Sequence, residues 1–335
     1  MRHRVKIEPS EHQFYVEANE TVLDAALRQG INLRYGCRNG ACGSCKGKLL
    51  TGDIHYDEDP IALTDDDKEQ DMVLFCAALA DSELVIELEE VDLDSAIEIK
   101  TLPCRVHEMK HLAEDVMQVF IKLPASERLQ FLAGQYIDIL LEDGRHRSFS
   151  IANAPHDDKF LELHIRLVEN GQFTPKVFNS MQNKDLLRIE GPHGSFFFHE
   201  DSNKDIMLVA GGTGFAPIKG IIEHLISEQV TRPVYLYWGV RTEADLYMLE
   251  LAEKWAAEQT NIQFVAVLSD ADDQWTGRTG YVHDAVLADF NDLSVFDVYA
   301  CGPPAMIKSA ELGFQEKGMS KNQFFYDSFD YANDQ

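Results

Sequence analysis

Basic side chains are scarce in this chain. Thirty Lys and Arg stand against 57 Asp and Glu in 335 residues, a formal charge of −27. Nucleic acid and anionic membrane are therefore poor partners, and a basic protein surface is a better one. Long apolar runs are absent too. No stretch approaches the roughly 18–20 residues of a spanning helix, and Met1 to Ser10 mixes charges and reads as strand rather than as a leader peptide. There are only six cysteines, which do not make a disulfide framework. Internal repeats and low-complexity tracts are missing. What is present is 45% hydrophobic residues, enough for proper cores in about two domains, and the length permits three.

Four of the six cysteines fall in one pattern: Cys37, Cys42 and Cys45, then Cys76. The spacing C-x4-C-x2-C with a distant fourth Cys is the ligand pattern of a plant-type [2Fe–2S] cluster. Three thiolates come from one tight loop and the fourth from elsewhere. Gly36, Gly40 and Gly43 let that loop coil and leave backbone N–H groups for the sulfurs. A structural zinc is the alternative, but it usually takes two close Cys pairs, and Cys76 has no near partner. Cys104 reads as a core or loop thiol. Thiols committed to iron imply a reducing, cytoplasmic location.

Three segments follow one another. Up to about residue 95, Arg4–Pro9 and His12–Val16 suggest a hairpin. Thr21 is a good N-cap for a helix over Val22–Arg28, ended by Gly30. A strand is expected near Lys48–Tyr56, and two more at Met72–Cys76 and Leu84–Leu88. This segment carries 9 Lys and Arg against 21 Asp and Glu, a difference of −12. Asp65–Asp67 after Thr64 suit a helix start, and with Asp57–Asp59 they also suit a docking patch for an electron acceptor. Glu89–Ser95 reads as a linker. From about 101 to 200, short strands are expected at Leu102–His107, Val116–Lys122, Tyr136–Leu141, Ser148–Ala152, Leu161–Leu167 and Leu187–Glu190. Turn residues separate them, as in an antiparallel barrel. From about 204 to 335, strands (Ile206–Ala210, Val234–Trp238, Ile262–Leu268, Val295–Ala300) alternate with helices (Pro217–Ser227, Leu246–Glu258, His283–Asp289, Ala305–Lys317). Such alternation means a doubly wound parallel sheet.

The candidate binding motifs sit in the last two segments. Strand Ile206–Ala210 runs into Gly211-Gly212-Thr213-Gly214 and then Pro217. Small residues admit a pyrophosphate to the backbone, and the helix start behind them attracts its charge. The run is not the G-x-G-x-x-G fingerprint, and an ordinary tight turn is the alternative. Cys301-Gly302-Pro303 ends another strand of the same sheet, where ligands bind in open α/β folds. In the barrel, Arg147-Ser148-Phe149-Ser150 combines a guanidinium for phosphate, an aromatic for a flat ring and a hydroxyl for a ring nitrogen. His164-Ile165-Arg166 and Gly171-Gln172-Phe173-Thr174 offer a second phosphate contact.

In this order, the cysteine loop, R-S-F-S, G-G-T-G-F-A-P and C-G-P-P resemble the ferredoxin–NADP reductase superfamily with an N-terminal ferredoxin domain. The resemblance covers nearly the whole chain. Leu132–Asp138, Ser150–Pro155, Arg188–Pro192 and Val298–Gly302 are most similar to the reductases of CDP-6-deoxy-hexulose 3-dehydrase systems. Reductase components of oxygenases stand beside them. The resemblance implies a β-grasp ferredoxin domain at 1–95, an FAD-binding barrel at 101–200 and an NAD-binding α/β domain at 204–335, so α+β and α/β together. It puts Arg147 on the flavin phosphates, Ser150 near the reactive ring nitrogen and Cys301 near the nicotinamide; Phe329 is a candidate cover for the flavin. Phe149 stands where many relatives carry Tyr, and FMN is the alternative flavin. In NADPH-dependent relatives a Ser-Arg pair holds the 2′-phosphate. Ser269-Asp270 replaces it here, which favours NADH because a carboxylate repels phosphate and accepts from a ribose hydroxyl. The implied activity passes electrons from NADH through flavin and cluster to a partner with a basic surface, either a sugar dehydrase or an oxygenase component, and the chain is expected to be a monomer. A redox sensor without turnover is the reading of another class.

Overall fold

The computed structural model describes residues 2–88, 90–91 and 97–329. It divides into two compact units, one running to Ile97 and the other from Glu98 to Phe329.

The first unit opens with β1 (His3–Glu8) and β2 (Gln13–Val16). Their inward residues Val5, Ile7, Phe14 and Val16 are buried in strict alternation, the pattern of a sheet with one wet face. Thr21 accepts from the Asp24 N–H at 3.1 Å and starts α1 (Val22–Arg28), as expected. Next come β3 (Lys46–Thr51), β4 (Ile54–His55), α2 (Asp65–Glu69), β5 (Met72–Leu74), β6 (Leu79–Ala80) and β7 (Leu84–Glu87). The single strand expected over Lys48–Tyr56 is two. A turn at Gly52-Asp53, fixed by an Asp53 N–H to Ser82 Oγ bond of 2.8 Å, sends β4 to pair with β6 instead. The main sheet runs β2-β1-β7-β3-β5, with β1 and β7 parallel. Most of the linker expected at Glu89–Ser95 lies outside the described residues; Val91 donates to Asn32 O at 2.7 Å.

The second unit starts with six antiparallel strands: β8 (Lys100–Ala113), β9 (Val116–Lys122), β10 (Tyr136–Leu140), β11 (His146–Ser150), β12 (Leu161–Arg166) and β13 (Leu186–His193). Their order is β11-β10-β13-β8-β9-β12. A bridge from Ile151 to Leu163 brings the two ends together, so the sheet closes as the expected barrel. Ile137, Ile139, Ile165, Ile189 and Cys104 fill it, and burial pushes the Cys104 thiol up to about 12. A helix, α3 (Thr174–Asn179), lies where only a phosphate-contact segment was expected.

The chain then alternates β14 (Asp205–Gly211), α4 (Phe215–Ser227), β15 (Val234–Val240), α5 (Leu249–Glu258), β16 (Ile262–Leu268), β17 (Arg278–Thr279), α6 (Val282–Asp289), β18 (Phe296–Gly302), α7 (Pro304–Glu316) and β19 (Phe324–Ser328). All six strands are parallel, ordered β17-β16-β15-β14-β18-β19. Both faces are apolar, as a sheet covered on two sides requires. Ile206, Leu208 and Ala210 pack under α4 and α5; Met207 and Val209 pack on α6 and α7. Phe196 and Phe198, beyond β13, join the first of these cores. Barrel and sheet therefore share buried contacts. Among the described residues no helix is long and apolar enough to cross a membrane.

Candidate functional site

Two motifs converge at the carboxyl end of the parallel sheet. β14 ends at Gly211, a 3₁₀ turn occupies Gly212–Gly214, and α4 begins at Phe215. The helix therefore starts two residues before the expected Pro217, which still lies in its first turn, where the missing N–H costs nothing. Trp238 Nε1 donates to Gly212 O at 2.9 Å, and its indole stacks on Phe215 with centroids 3.9 Å apart. A side chain at Gly214 would place Cβ 2.0 Å from Cys301 O, and one at Gly302 would meet Gly211 Cα at 3.1 Å. Glycine is thus demanded by backbone-to-backbone approach. That approach sets Gly211–Gly214 against Cys301–Pro303. Burial holds the Cys301 thiol well above its usual range, so it stays protonated and serves as a wall rather than a nucleophile. Phe329 N–H bonds Gly302 O at 2.9 Å, which places that residue beside the same strand end.

The barrel contributes polar atoms with nothing to bond. Ser150 Oγ is buried and unpartnered, as is Arg166 Nη2. Arg166 Nε lies 3.1 Å from Asp115 Oδ2, an ion-pair distance, without the alignment of a hydrogen bond. The Nη1 end reaches the glycine turn, 3.1 Å from where a Gly212 Cβ would stand. Such orphans are rare in a folded interior, and a guanidinium aimed at a glycine turn suits an anion. Ser328 Oγ, at the end of β19 and opposite Gly302, is a third orphan. The sequence reading missed it, since a serine near a chain end carries no signal. Phe149 and Phe173 approach with centroids 5.7 Å apart. Arg147 donates to His146 O at 2.7 Å, and burial lowers its pKa.

Other expected contacts have their side chains engaged within the protein. Ser148 donates to Asp138 Oδ1 at 2.6 Å. Thr174 Oγ1 closes the 168–174 loop by bonding Val168 N and O at 2.9 and 3.2 Å. Gly171 N–H bonds Val168 O, and Gln172 Oε1 accepts from Arg145. Ile165 lies in the barrel core. Both ring nitrogens of His164 have partners, Glu162 at 2.9 Å and Tyr247 at 3.1 Å. Glu162 accepts only, so Nε2 carries the proton and Nδ1 accepts from the tyrosine. Ser269 and Asp270 follow β16, and Asp270 N–H bonds Arg241 O at 2.8 Å. The two exposed side chains of Asp270 and Arg241 stand 3.8 Å apart. Arg241 had not been singled out, because only the strand register brings it to Asp270.

In the first unit, the Cys37–Cys45 loop winds tightly. Cys37 N and Cys42 N each donate to the other's sulfur at 3.3 Å, and Ser44 N reaches Cys42 Sγ at 3.5 Å. Gly40, at φ 76°, holds the loop against Pro60, where a Cβ would stand 2.8 Å from the proline Cβ. None of the four cysteines is in a disulfide. The Cys37 contact draws Cys42 down to about 6, while Cys37 and Cys76 are pushed up by their neighbours Cys42 and Cys45. Thiols that crowd one another in this way suit a cationic metal cluster, whose charge favours coordinating thiolates.

The comparisons with known proteins agree with this geometry. Residues 5–81 match the family model of the 2Fe-2S iron-sulfur cluster binding domain, residues 103–198 the oxidoreductase FAD-binding domain, and residues 208–311 the oxidoreductase NAD-binding domain. The chain is 43% identical to the CDP-6-deoxy-L-threo-D-glycero-4-hexulose-3-dehydrase reductase of Yersinia pestis over 97% of its own length and 98% of that protein's. The chain belongs to the ferredoxin–NADP reductase superfamily. Within the superfamily it is 34% identical to the terephthalate 1,2-dioxygenase reductase component 2 of a Comamonas species, over 98% of both chains. Its fold matches the crystal structure of the Amycolatopsis cytochrome P450 reductase GcoB with a TM-score of 0.81, at 30% identity over 98% of each chain. The superfamily member is thus an oxidoreductase with [2Fe–2S], FAD and NAD domains. Iron, not zinc, is the metal of the cysteine loop.

Proposed function

We propose that this chain is an NADH-dependent reductase that passes electrons from NADH, by way of FAD and a [2Fe–2S] cluster, to a separate acceptor protein. Two observations carry the reading: three redox-domain types follow one another in a single chain, and Ser150 and Arg166, each with a buried unpartnered polar atom, belong to the expected motifs. The functional parts are 1–95 for the cluster, 101–200 for FAD and 204–335 for the nicotinamide nucleotide.

The roles of the residues follow from their chemistry. Cys37, Cys42, Cys45 and Cys76 hold the iron. Arg147 serves the flavin phosphates, Phe149 the flat ring, and the Ser150 hydroxyl a ring nitrogen. Gly211–Gly214 and Arg166 receive the nucleotide pyrophosphate, while Cys301 borders the nicotinamide and Phe329 covers the flavin. FAD supplies two-electron acceptance with one-electron release. The protein contributes position and the exclusion of water. Asp270 favours NADH over NADPH by repelling a 2′-phosphate.

For the acceptor, the 43% identity to a sugar 3-dehydrase reductase favours a dehydrase of that kind. The 34% identity to a dioxygenase reductase component supports an oxygenase as the second reading. The acceptor presents a basic surface to the acidic first unit, and such encounters are small and transient. The chain works as a cytoplasmic monomer. The test is anaerobic mixing of the purified holoprotein with NADH. Rapid bleaching of flavin and cluster bands is expected, followed by reoxidation on adding the acceptor. A protein that keeps both cofactors and does not bleach is a sensor, and the proposal is lost.

A further inference from the structure

Trp238 on β15 is fully buried, and its indole N–H is spent on the glycine turn after β14. The register pairs Trp238 with Ala210, two residues before Gly212. Both side chains belong to the core under α4, so the indole reaches the start of that helix. Phe215 stacks on it with centroids 3.9 Å apart, and Tyr247 meets it edge-on at 5.1 Å. Nε1 donates to Gly212 O at 2.9 Å. A buried indole N–H needs an acceptor, and for packing alone any carbonyl would serve. The acceptor here belongs to the segment that the function above gives to the pyrophosphate.

That bond bears on which way one peptide faces. Gly212 O also receives the Phe215 N–H, a bond of the 3₁₀ turn, and 3₁₀ bonds have poorer geometry than those of an α-helix. The indole adds a second donor that holds the carbonyl inward. The N–H of the same planar peptide, that of Thr213, then points the opposite way, out of the helix start where anions bind. Gly212 and Thr213 are half-buried, while Gly211 and Gly214 are buried, so this is the peptide of the turn that a ligand can reach. Glycine makes its orientation reversible. Gly212 stands at φ 55°, and without a Cβ its ψ is loosely restrained. Turned over, the peptide would offer phosphate a carbonyl oxygen instead of an N–H. Arg166 Nη1, which faces Gly212 from the barrel, brings charge to this spot but does not orient the peptide.

We propose that Trp238 is a positioning residue for the coenzyme: its indole N–H locks the Gly212–Thr213 peptide with the N–H turned toward the pyrophosphate. The inference rests on the nucleotide-binding reading of the glycine turn. The lock governs affinity and not hydride transfer, because the indole acts through the turn and meets no reacting atom. Linkage makes the coupling reciprocal: a ligand that needs this peptide orientation also strengthens the indole bond.

Steady-state kinetics of the full-length holoprotein, with ferricyanide as acceptor, and calorimetric titration with ADP-ribose test this. Trp238→Phe keeps a flat ring against Phe215 and removes the donor, whereas Phe215→Leu breaks the stack and keeps the donor. In Trp238→Phe, KM for NADH and the dissociation constant of ADP-ribose are expected to rise together by about fivefold, the scale of one neutral hydrogen bond, with kcat within about twofold of the unaltered protein. In Phe215→Leu both constants are expected to stay within about twofold, whatever thermal stability is lost. Equal rises in the two variants would make Trp238 ordinary packing and overturn the proposal. So would unchanged constants, or a loss confined to kcat, in Trp238→Phe. If Trp238→Phe does not fold, hydrogen exchange at the indole N–H groups of the unaltered protein decides. Trp238, the most buried of the three tryptophans, is expected to give the slowest signal and to slow further with saturating ADP-ribose; no slowing overturns the lock. Bleaching of the unaltered protein by NADH checks the underlying reading separately, and ADP-ribose affinity reads the lock whether or not it bleaches.

Discussion

Replacing Glu162 by Gln tests the polar core that joins barrel to sheet in the second unit. Glu162 is 5% exposed. Its Oε1 accepts from Gln118 at 2.6 Å and His164 at 2.9 Å, and its Oε2 accepts from Lys219 at 3.0 Å. Burial alone would raise the carboxyl pKa. The His164 bond and the Lys219 charge reverse this and hold it at about 2, against an ordinary 4.5. That difference corresponds to roughly 3 kcal/mol. Removing one member of a buried pair typically costs about 3–5 kcal/mol, because the other charge is stranded. Lys219, itself 5% exposed, keeps Glu223 at 2.8 Å and Ala152 O at 3.2 Å. The loss should therefore fall near 3 kcal/mol rather than 5. Urea unfolding followed by far-UV circular dichroism measures it. Adding Lys219→Met to Glu162→Gln should cost less than the two single changes summed, by about 1–3 kcal/mol. The pH dependence has a fixed sign. Because folding lowers this pKa, the contribution is complete above about 4.5 and drains away as pH falls toward about 2. Glu162→Gln should flatten that part of the acid-stability profile. A single substitution costing under about 1 kcal/mol, or strict additivity, would refute the reasoning.

Gly214→Ala forces a Cβ to 2.0 Å from the Cys301 carbonyl, so overpacking should cost at least about 1–3 kcal/mol. NADH binding should weaken about tenfold for each 1.4 kcal/mol of that strain expressed in the bound form, read as a raised KM. Asp270→Ser removes the carboxylate beside Arg241 and frees the guanidinium for a 2′-phosphate. The ratio of kcat/KM for NADPH over NADH should rise by about tenfold, equal to about 1.4 kcal/mol of transition-state preference; an unchanged ratio would remove Asp270 from coenzyme choice.

Much of this architecture is legible because local rules decide it. Thr21 and Thr64 cap their helices as their side chains predict. Val5, Ile7, Phe14 and Val16 alternate because one face of the sheet is wet. Ile206 to Ala210 is continuously apolar because both faces of its sheet are covered. The cysteine spacing is stronger still, since cluster geometry constrains it directly. Where local signals are weak, boundaries move. α3 has no side-chain cap, and Phe173 stands at its N-cap, so nothing announces a helix there. β8 runs to Ala113, well past the expected His107, through a mostly exposed stretch whose polar residues hide the strand.

The hardest features to read are those set by partners distant in sequence. Lys219 sits in α4 among Phe215, Ile218, Ile221 and Ile222, all buried. By composition a lysine belongs in water, and in this helix it would be placed on the surface. It is buried because Glu162, 57 residues earlier, supplies the counter-charge. His164 shows the same dependence: two residues before Arg166 on the same face of β12, it has its ring nitrogens taken by Glu162 and Tyr247. The two same-face neighbours are told apart only by their partners. Arg166 keeps an unsatisfied guanidinium nitrogen for a ligand, while His164 spends both nitrogens on the fold. A buried charge is thus legible as functional only once its partners have been counted, because the residue type is the same in either role.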